Sequence, residues 1–76
     1  MIRINKKNLY NILKYSIILQ YLIKYDSLFV NDYKIKLIKE LIQINKNYIY
    51  IVDLNNKELN KELNKIIKTF FNQIGI

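Results

Sequence analysis

The sequence predicts an α+β domain with two N-terminal helices, a small antiparallel sheet made of hairpins, and a C-terminal amphipathic helix. Apolar residues recur at three- and four-residue steps near both ends of the chain, as in helices. Between residues 27 and 54, short apolar segments are interrupted at Asn31-Asp32 and at residues 45–47. Asn and Asp tolerate the positive φ angles of tight hairpins, so both interruptions fit turns. An all-α three-helix domain is the alternative.

The N-terminal helical region is predicted over residues 5–25. Its apolar positions are Leu9, Ile12, Leu13, Ile17, Leu19, Leu22 and Ile23. Either Asn5 or Asn8 is suited to the N-cap. One helix and two short helices that meet near residues 15–16 both fit the pattern. Apolar side chains nearly surround residues 17–23, so we expect this segment to be buried on more than one side.

The middle of the chain predicts two pairs of strands. The expected strands are residues 28–30, 33–37, 42–44 and 48–52. Polar and apolar residues alternate from Tyr33 to Leu37, and the last strand is rich in β-branched and aromatic residues. A helix over residues 32–44 competes with this interpretation, because Leu37, Ile38, Leu41 and Ile42 also have helical spacing and Asn31 can cap it.

The C-terminal helix follows a capping box, with Asn55 three residues before Glu58. Its apolar stripe consists of Leu59, Leu63, Ile66, Ile67, Phe70, Phe71 and Ile74. The repeated KELN of residues 57–64 predicts ion pairs of Glu58 with Lys61 and of Glu62 with Lys65. Phe70 and Phe71 are expected to pack on the core or on a partner.

Composition argues against an enzyme. A chain of 76 residues forms one domain with a modest core. The absence of Cys and His removes disulfides, thiolate ligands, the commonest metal ligand and the usual general base. We therefore expect no catalytic residue, metal or cofactor. The longest apolar run, residues 15–23, is too short to span a membrane, which predicts a soluble protein. We expect it inside the cell, in the cytoplasm or in an organelle such as a mitochondrion or plastid. Abundant Ile, Lys, Asn and Tyr indicate an AT-rich genome, such as that of an organelle.

The positive charge is concentrated at the N-terminal end. The net charge of +7 divides into +5 for residues 1–25, zero for residues 26–54 and +2 for residues 55–76. The first of these segments contains no acid. A field of one sign over a third of a small domain favours a polyanion, which can be RNA, DNA or an acidic membrane surface.

Residues 3–53 resemble the RNA-binding domain named after ribosomal small-subunit protein S four. The similar segments are Arg3-Ile4-Asn5, Leu22-Ile23, Phe29-Val30-Asn31-Asp32-Tyr33-Lys34-Ile35 and Ile42-Gln43-Ile44-Asn45-Lys46-Asn47-Tyr48-Ile49. The chain departs from the family at both turn glycines, where it has Asp32 and Asn47, and near Ser16, where the family usually carries an Arg.

The resemblance implies an RNA-binding module over residues 3–53, extended by a helical segment over residues 54–76. It implies a small ribosomal or ribosome-associated protein that contacts structured ribosomal RNA, with neighbouring proteins of the assembly as further partners. The residues expected to bind RNA are Arg3, Lys6, Lys7, Lys14, Lys24, Asn31, Lys34 and Lys36. The alternative is an interaction subunit or viral inhibitor that docks an apolar helix face, including Phe70 and Phe71, on a larger protein.

Overall fold

The computed structural model describes residues 4–74, and all regular structure in this range is helical. The elements are α1 (Lys6–Lys24), α2 (Val30–Leu41), a 3-10 segment (Lys46–Asp53), α3 (Asn56–Phe71) and a final 3-10 turn (Asn72–Ile74). The predicted α+β class is therefore wrong, since residues 4–74 contain no strand. The competing interpretation, a helix in the middle of the chain, is the one that the structure contains.

The first predicted hairpin is replaced by α2. Asn31 and Asp32 lie in the first turn of this helix, where the charge of Asp32 interacts favourably with the helix dipole. Leu37, Ile38 and Leu41 are buried along one side of α2. These three side chains can share one buried face only in a helix, and their burial outweighs the local alternation between Tyr33 and Leu37.

The second predicted hairpin is replaced by the 3-10 segment. Asn45 caps this segment, because its side-chain oxygen accepts a hydrogen bond of 2.9 Å from the backbone N–H of Asn47. Ile51 is the one buried residue of the segment, whereas Ile49 is 55% exposed. In a strand these two side chains would lie on the same face, but three residues per turn place them on different sides.

Helix α1 is a single unbroken helix that begins and ends with recognisable caps. At its start, the side chain of Asn5 accepts a hydrogen bond of 2.7 Å from the N–H of Asn8. At its end, Asp26 has a φ of 53°, and the N–H of Ser27 donates to the carbonyl of Leu22 at 2.9 Å. This is a Schellman ending with Asp in the position that glycine usually occupies. Among residues 4–74, the non-glycine residue with a positive φ is therefore Asp26, and not Asn31 or Asp32, which were expected to form a hairpin turn.

Helix α1 packs against both α2 and α3, and α2 also packs against the 3-10 segment. Both neighbours run antiparallel to α1. Tyr15 contacts Tyr33 while Asn8 contacts Glu40, and Gln20 contacts Asn64 while Tyr10 and Phe71 line one cavity. The core consists of Ile12, Leu13, Leu19, Val30, Leu37, Ile38, Leu41, Ile51, Leu59, Leu63, Ile66 and Phe70. The expected burial of residues 17–23 on two sides holds for Leu19, but Ile17 is 56% exposed.

A polar cluster fixes the register of α1 against α2. The buried Asn8 donates from its side-chain amide to the backbone carbonyl of Glu40 at 3.2 Å. Asn11 donates to Oε1 of Glu40 at 2.6 Å, and Gln43 donates to Oε2 of the same carboxylate at 3.2 Å. A slip of either helix by one residue would break these bonds, so the cluster selects one alignment.

Helix α3 follows its prediction closely. The capping box is confirmed by reciprocal hydrogen bonds between Asn55 and Glu58, of 2.9 and 3.3 Å. Leu59, Leu63, Ile66 and Phe70 are buried, whereas Phe71 and Ile74 are exposed. Of the two predicted ion pairs, the described residues contain one, between Glu62 and Lys65 at 3.5 Å.

The 3-10 segment is tied to α3 by its tyrosines. The hydroxyl of Tyr50 donates to Oε2 of Glu62 at 2.5 Å, and the ring of Tyr48 lies 6.5 Å from that of Phe70. Burial of the Tyr50 hydroxyl, together with its hydrogen bond to the Glu62 carboxylate and the negative charge there, raises the pKa of Tyr50 from 10.0 to about 12.

We expect Ile51→Ala and Ile49→Ala to differ strongly in stability. Ile51 is fully buried, so its truncation should lower the free energy of unfolding by about 2–4 kcal/mol. Ile49 is exposed, so the same truncation should change it by less than about 0.5 kcal/mol. Urea denaturation measures both. Equal losses would indicate a strand that buries both side chains and would contradict the 3-10 geometry.

The Tyr50→Phe variant should lose less unfolding free energy than the wild type as the pH rises above 10. Between pH 10 and 12 the unfolded chain ionises Tyr50 while the folded chain retains the proton, so this residue's contribution is complete below pH 10 and declines above it. Because Tyr50 is 43% exposed, water reduces the effect. The measurement is the difference between the unfolding free energies of the wild type and the variant across this range. A pH-independent difference would contradict the Tyr50–Glu62 contact.

Candidate nucleic-acid interface

The outer face of α1 is the side left uncovered between α2 and α3. Its exposed residues are Lys6, Lys7, Tyr10, Lys14, Ile17, Tyr21 and Lys24. Two flanks of the helix are occupied by packing, so the period of 3.6 residues leaves a single stripe for solvent. With a rise of 1.5 Å per residue, the stripe is about 28 Å long. It consists of lysines, tyrosines and one isoleucine.

The outer face carries an unbalanced positive charge. Residues 4–25 contain four lysines and no carboxylate, and the first acid along the chain is Asp26. Among residues 4–74, the one ion pair joins Lys65 and Glu62 on α3. The lysines of the outer face are therefore not neutralised by acids of the described chain, and their field extends into solvent.

Two lysines and three tyrosine rings form a row across the seam between α1 and α2. Nζ of Lys14 lies 5.5 Å from the ring centroid of Tyr10 and 5.1 Å from that of Tyr15. Tyr15 contacts Tyr33 edge to face at 6.1 Å, and Nζ of Lys36 lies 4.5 Å from the Tyr33 ring. We call this row the Lys14–Lys36 aromatic chain. Cation–π attraction holds both ammonium groups near the surface instead of leaving them to swing freely.

The structure brings most of the predicted RNA-binding residues onto one side of the molecule. Lys6, Lys7, Lys14 and Lys24 all lie on the outer face of α1, and Lys36 is linked to them through the aromatic chain. Asn31 is exposed in the first turn of α2 rather than in a hairpin. Arg3 lies outside the described residues.

Lys34 differs from the other predicted residues because it is engaged in packing. It is partly buried, and its Nζ donates a hydrogen bond of 2.9 Å to the backbone carbonyl of Leu54, just before α3. This bond links α2 to the connection between the 3-10 segment and α3. Lys36, two residues further along the same helix, is exposed. Sequence alone gave no reason to separate these two lysines.

The exposed aromatic and apolar residues of the outer face were not among the predicted RNA-binding residues. Tyr10 and Tyr21 are both 64% exposed, and Ile17 lies between them. The signal for these residues was present, because Tyr10, Lys14, Ile17 and Tyr21 follow each other at steps of four, three and four, which is one side of a helix. Of the two phenylalanines expected to pack on the core or on a partner, Phe70 is buried and Phe71 is 55% exposed.

The chemistry of this surface is that of binding. Ammonium groups attract phosphates, and exposed tyrosine rings provide flat surfaces on which bases stack. Residues 4–74 contain no group of three or more acids that could hold a metal ion. Within the same range, no helix is both long and apolar enough to cross a bilayer.

Comparison of the chain with protein-family models, with curated proteins and with solved structures finds no match. The two hairpins implied by the resemblance of residues 3–53 are replaced by α2 and the 3-10 segment. Function is therefore inferred from where the side chains lie, chiefly on the outer face of α1 and along the Lys14–Lys36 aromatic chain.

Lys34→Gln and Lys36→Gln should have different effects on stability. Lys34→Gln removes a charged donor from the Leu54 carbonyl, so the free energy of unfolding should fall by about 1–2 kcal/mol. Lys36→Gln removes the same charge from an exposed position and should change stability by less than about 0.5 kcal/mol. Thermal denaturation of both variants measures the difference. Equal stabilities would argue against a structural role for Lys34.

Proposed function

We propose that this protein binds RNA through the outer face of α1 and the adjoining Lys14–Lys36 aromatic chain. The observation that carries the proposal is the composition of that face, in which every exposed residue of the helix is Lys, Tyr or Ile17 and no carboxylate occurs in residues 4–25. Such a face attracts a polyanion over its whole length.

The tyrosines favour RNA over other polyanions. A uniformly charged polymer requires lysines alone, whereas Tyr10 and Tyr21 present rings that are 64% exposed beside the ammonium groups. Stacking of a base on such a ring contributes about 1–3 kcal/mol. Structured RNA supplies splayed bases in its loops and bulges, together with closely spaced phosphates.

Affinity without strong sequence discrimination is the expected behaviour. Lysine is a flexible point charge, and it lacks the planar fork with which arginine recognises a guanine edge. A surface of this kind suits a component whose position on RNA is determined by the surrounding assembly. We therefore propose a ribonucleoprotein component, with ribosomal RNA as the partner, as the setting in which the protein acts.

The combined substitution of Lys7, Lys14 and Lys36 by Gln should weaken binding to a hairpin RNA with an unpaired loop at least about tenfold at low salt. The slope of log affinity against log salt is negative, and each lost phosphate contact reduces its magnitude by about 0.7–0.9. The loss of three contacts should therefore reduce the magnitude of the slope by about two units or more. Fluorescence anisotropy over a salt series measures both quantities.

The matched control replaces Lys46, Lys57 and Lys61 by Gln. These three lysines are exposed and lie outside α1 and α2. Because both variants lose three lysines, they have the same net charge. It should retain most of the affinity and the salt slope. An equal loss in the two variants would indicate attraction by net charge alone, and an affinity independent of salt would contradict the proposal.

A further inference from the structure

A groove runs beside Phe71, where the end of α3 meets the outer side of α1. Successive helical residues point about 100° apart, so Phe70 faces the core while Phe71 faces outwards. The groove has a volume of about 380 Å³ and is lined by Tyr10, Leu13, Lys14, Ile17, Ile18 and Phe71. We call it the Phe71 groove. Its floor is aliphatic and its exposed rim is aromatic.

The Phe71 groove continues in both directions. Tyr10 and Leu13 also line a cleft of about 610 Å³ that extends to Lys6 and Ile74. Phe71 also lines a hollow of about 270 Å³ beside Lys68. From Lys6 to Ile18 the helix rises about 18 Å, which equals a little more than three turns of a helix lying alongside it.

The charged groups along these three cavities are all lysines. Lys6, Lys14 and Lys68 are the charged residues among the described side chains that line them, and no carboxylate is present. Ile17 and Phe71 are each more than half exposed at the centre. An apolar strip with cations on its edges complements a ligand with an apolar stripe and anions on its flanks.

We infer that the Phe71 groove binds an acidic amphipathic helix of a partner protein. Apolar side chains at positions i, i+3, i+4 and i+7 of that helix would fill the groove over Leu13, Ile17 and Phe71, and Asp or Glu on its flanks would meet Lys6, Lys14 and Lys68. The inference goes beyond RNA binding and does not depend on it.

Other occupants fit the groove less well. A second copy of the chain, docked symmetrically, would oppose lysine to lysine. RNA phosphates gain nothing from a floor of Leu13, Ile17 and Ile18.

The test uses two synthetic helical peptides of 14 residues with the same leucine stripe, one with Glu and one with Lys on its flanks. Anisotropy of the labelled peptides should show the Glu peptide binding at least about ten times more tightly than the Lys peptide. Ile17→Gln and Phe71→Gln should each weaken the Glu peptide about tenfold or more, because each side chain would be buried at the centre of the contact.

Ile35→Gln is the matched control, because Ile35 is 50% exposed on α2, outside the groove. It should leave peptide affinity unchanged. Since Ile17 and Phe71 are exposed, both groove variants should retain the wild-type circular dichroism spectrum. Phe71→Gln, whose side chain lies outside the outer face of α1, should also retain the salt slope for RNA, so failure of this inference is distinguishable from failure of the RNA proposal.

Two results would overturn the inference, namely absence of binding by the Glu peptide and equal binding of the two peptides. If the Glu peptide does not bind, Phe71-dependent self-association in sedimentation would assign the groove to a second copy, and Phe71-dependent binding to phosphatidylserine vesicles would assign it to a bilayer.

Discussion

The structure depends on the packing of α1 against two helices at once. Helices α2 and α3 each pack on α1 far more than on each other, so neither has a complete core without it. Ser16, a small residue with no exposed surface, lies in the middle of α1, and its hydroxyl donates to the carbonyl of Ile12 at 2.6 Å. The hydroxyl is thus satisfied inside the helix and needs no partner from the helices that cover it.

The same constraint concentrates the charge of α1 on one side. With two flanks buried, every lysine of the helix must lie on the remaining stripe, and packing thereby converts a charge bias in the sequence into a charged surface. Lys6 and Lys7 occupy the first turn, where a positive charge opposes the helix dipole, and no acid offsets them there. A local rule broken without a packing gain is typical of a functional position, which supports the proposed use of this face.

The ends of the fold were predictable from sequence and the middle was not. The caps at Asn5 and Asn55 act within a single turn, so residue type and spacing identify them. Turn and strand preferences in residues 28–52 are equally local, but they compete with the burial of Leu37 and Leu41 against neighbouring elements, which sequence does not display. The candidate site shows the same division. The lysines of α1 follow from charge segregation, whereas the structural role of Lys34 depends on a carbonyl brought close by the fold.

The two proposed surfaces share Tyr10, Lys14 and Ile17, which places them in one electrostatic system. Lys14 belongs both to the aromatic chain and to the Phe71 groove. An acidic helix in the groove would neutralise Lys14 and reduce the field over the rest of the outer face, so RNA would bind more weakly to the occupied protein. Thermodynamic linkage requires the converse as well: RNA bound to the outer face must lower the affinity for the acidic helix by the same factor. Because Tyr10 and Ile17 are also shared, the two ligands would compete for space as well as for charge, and both effects give the coupling the same sign.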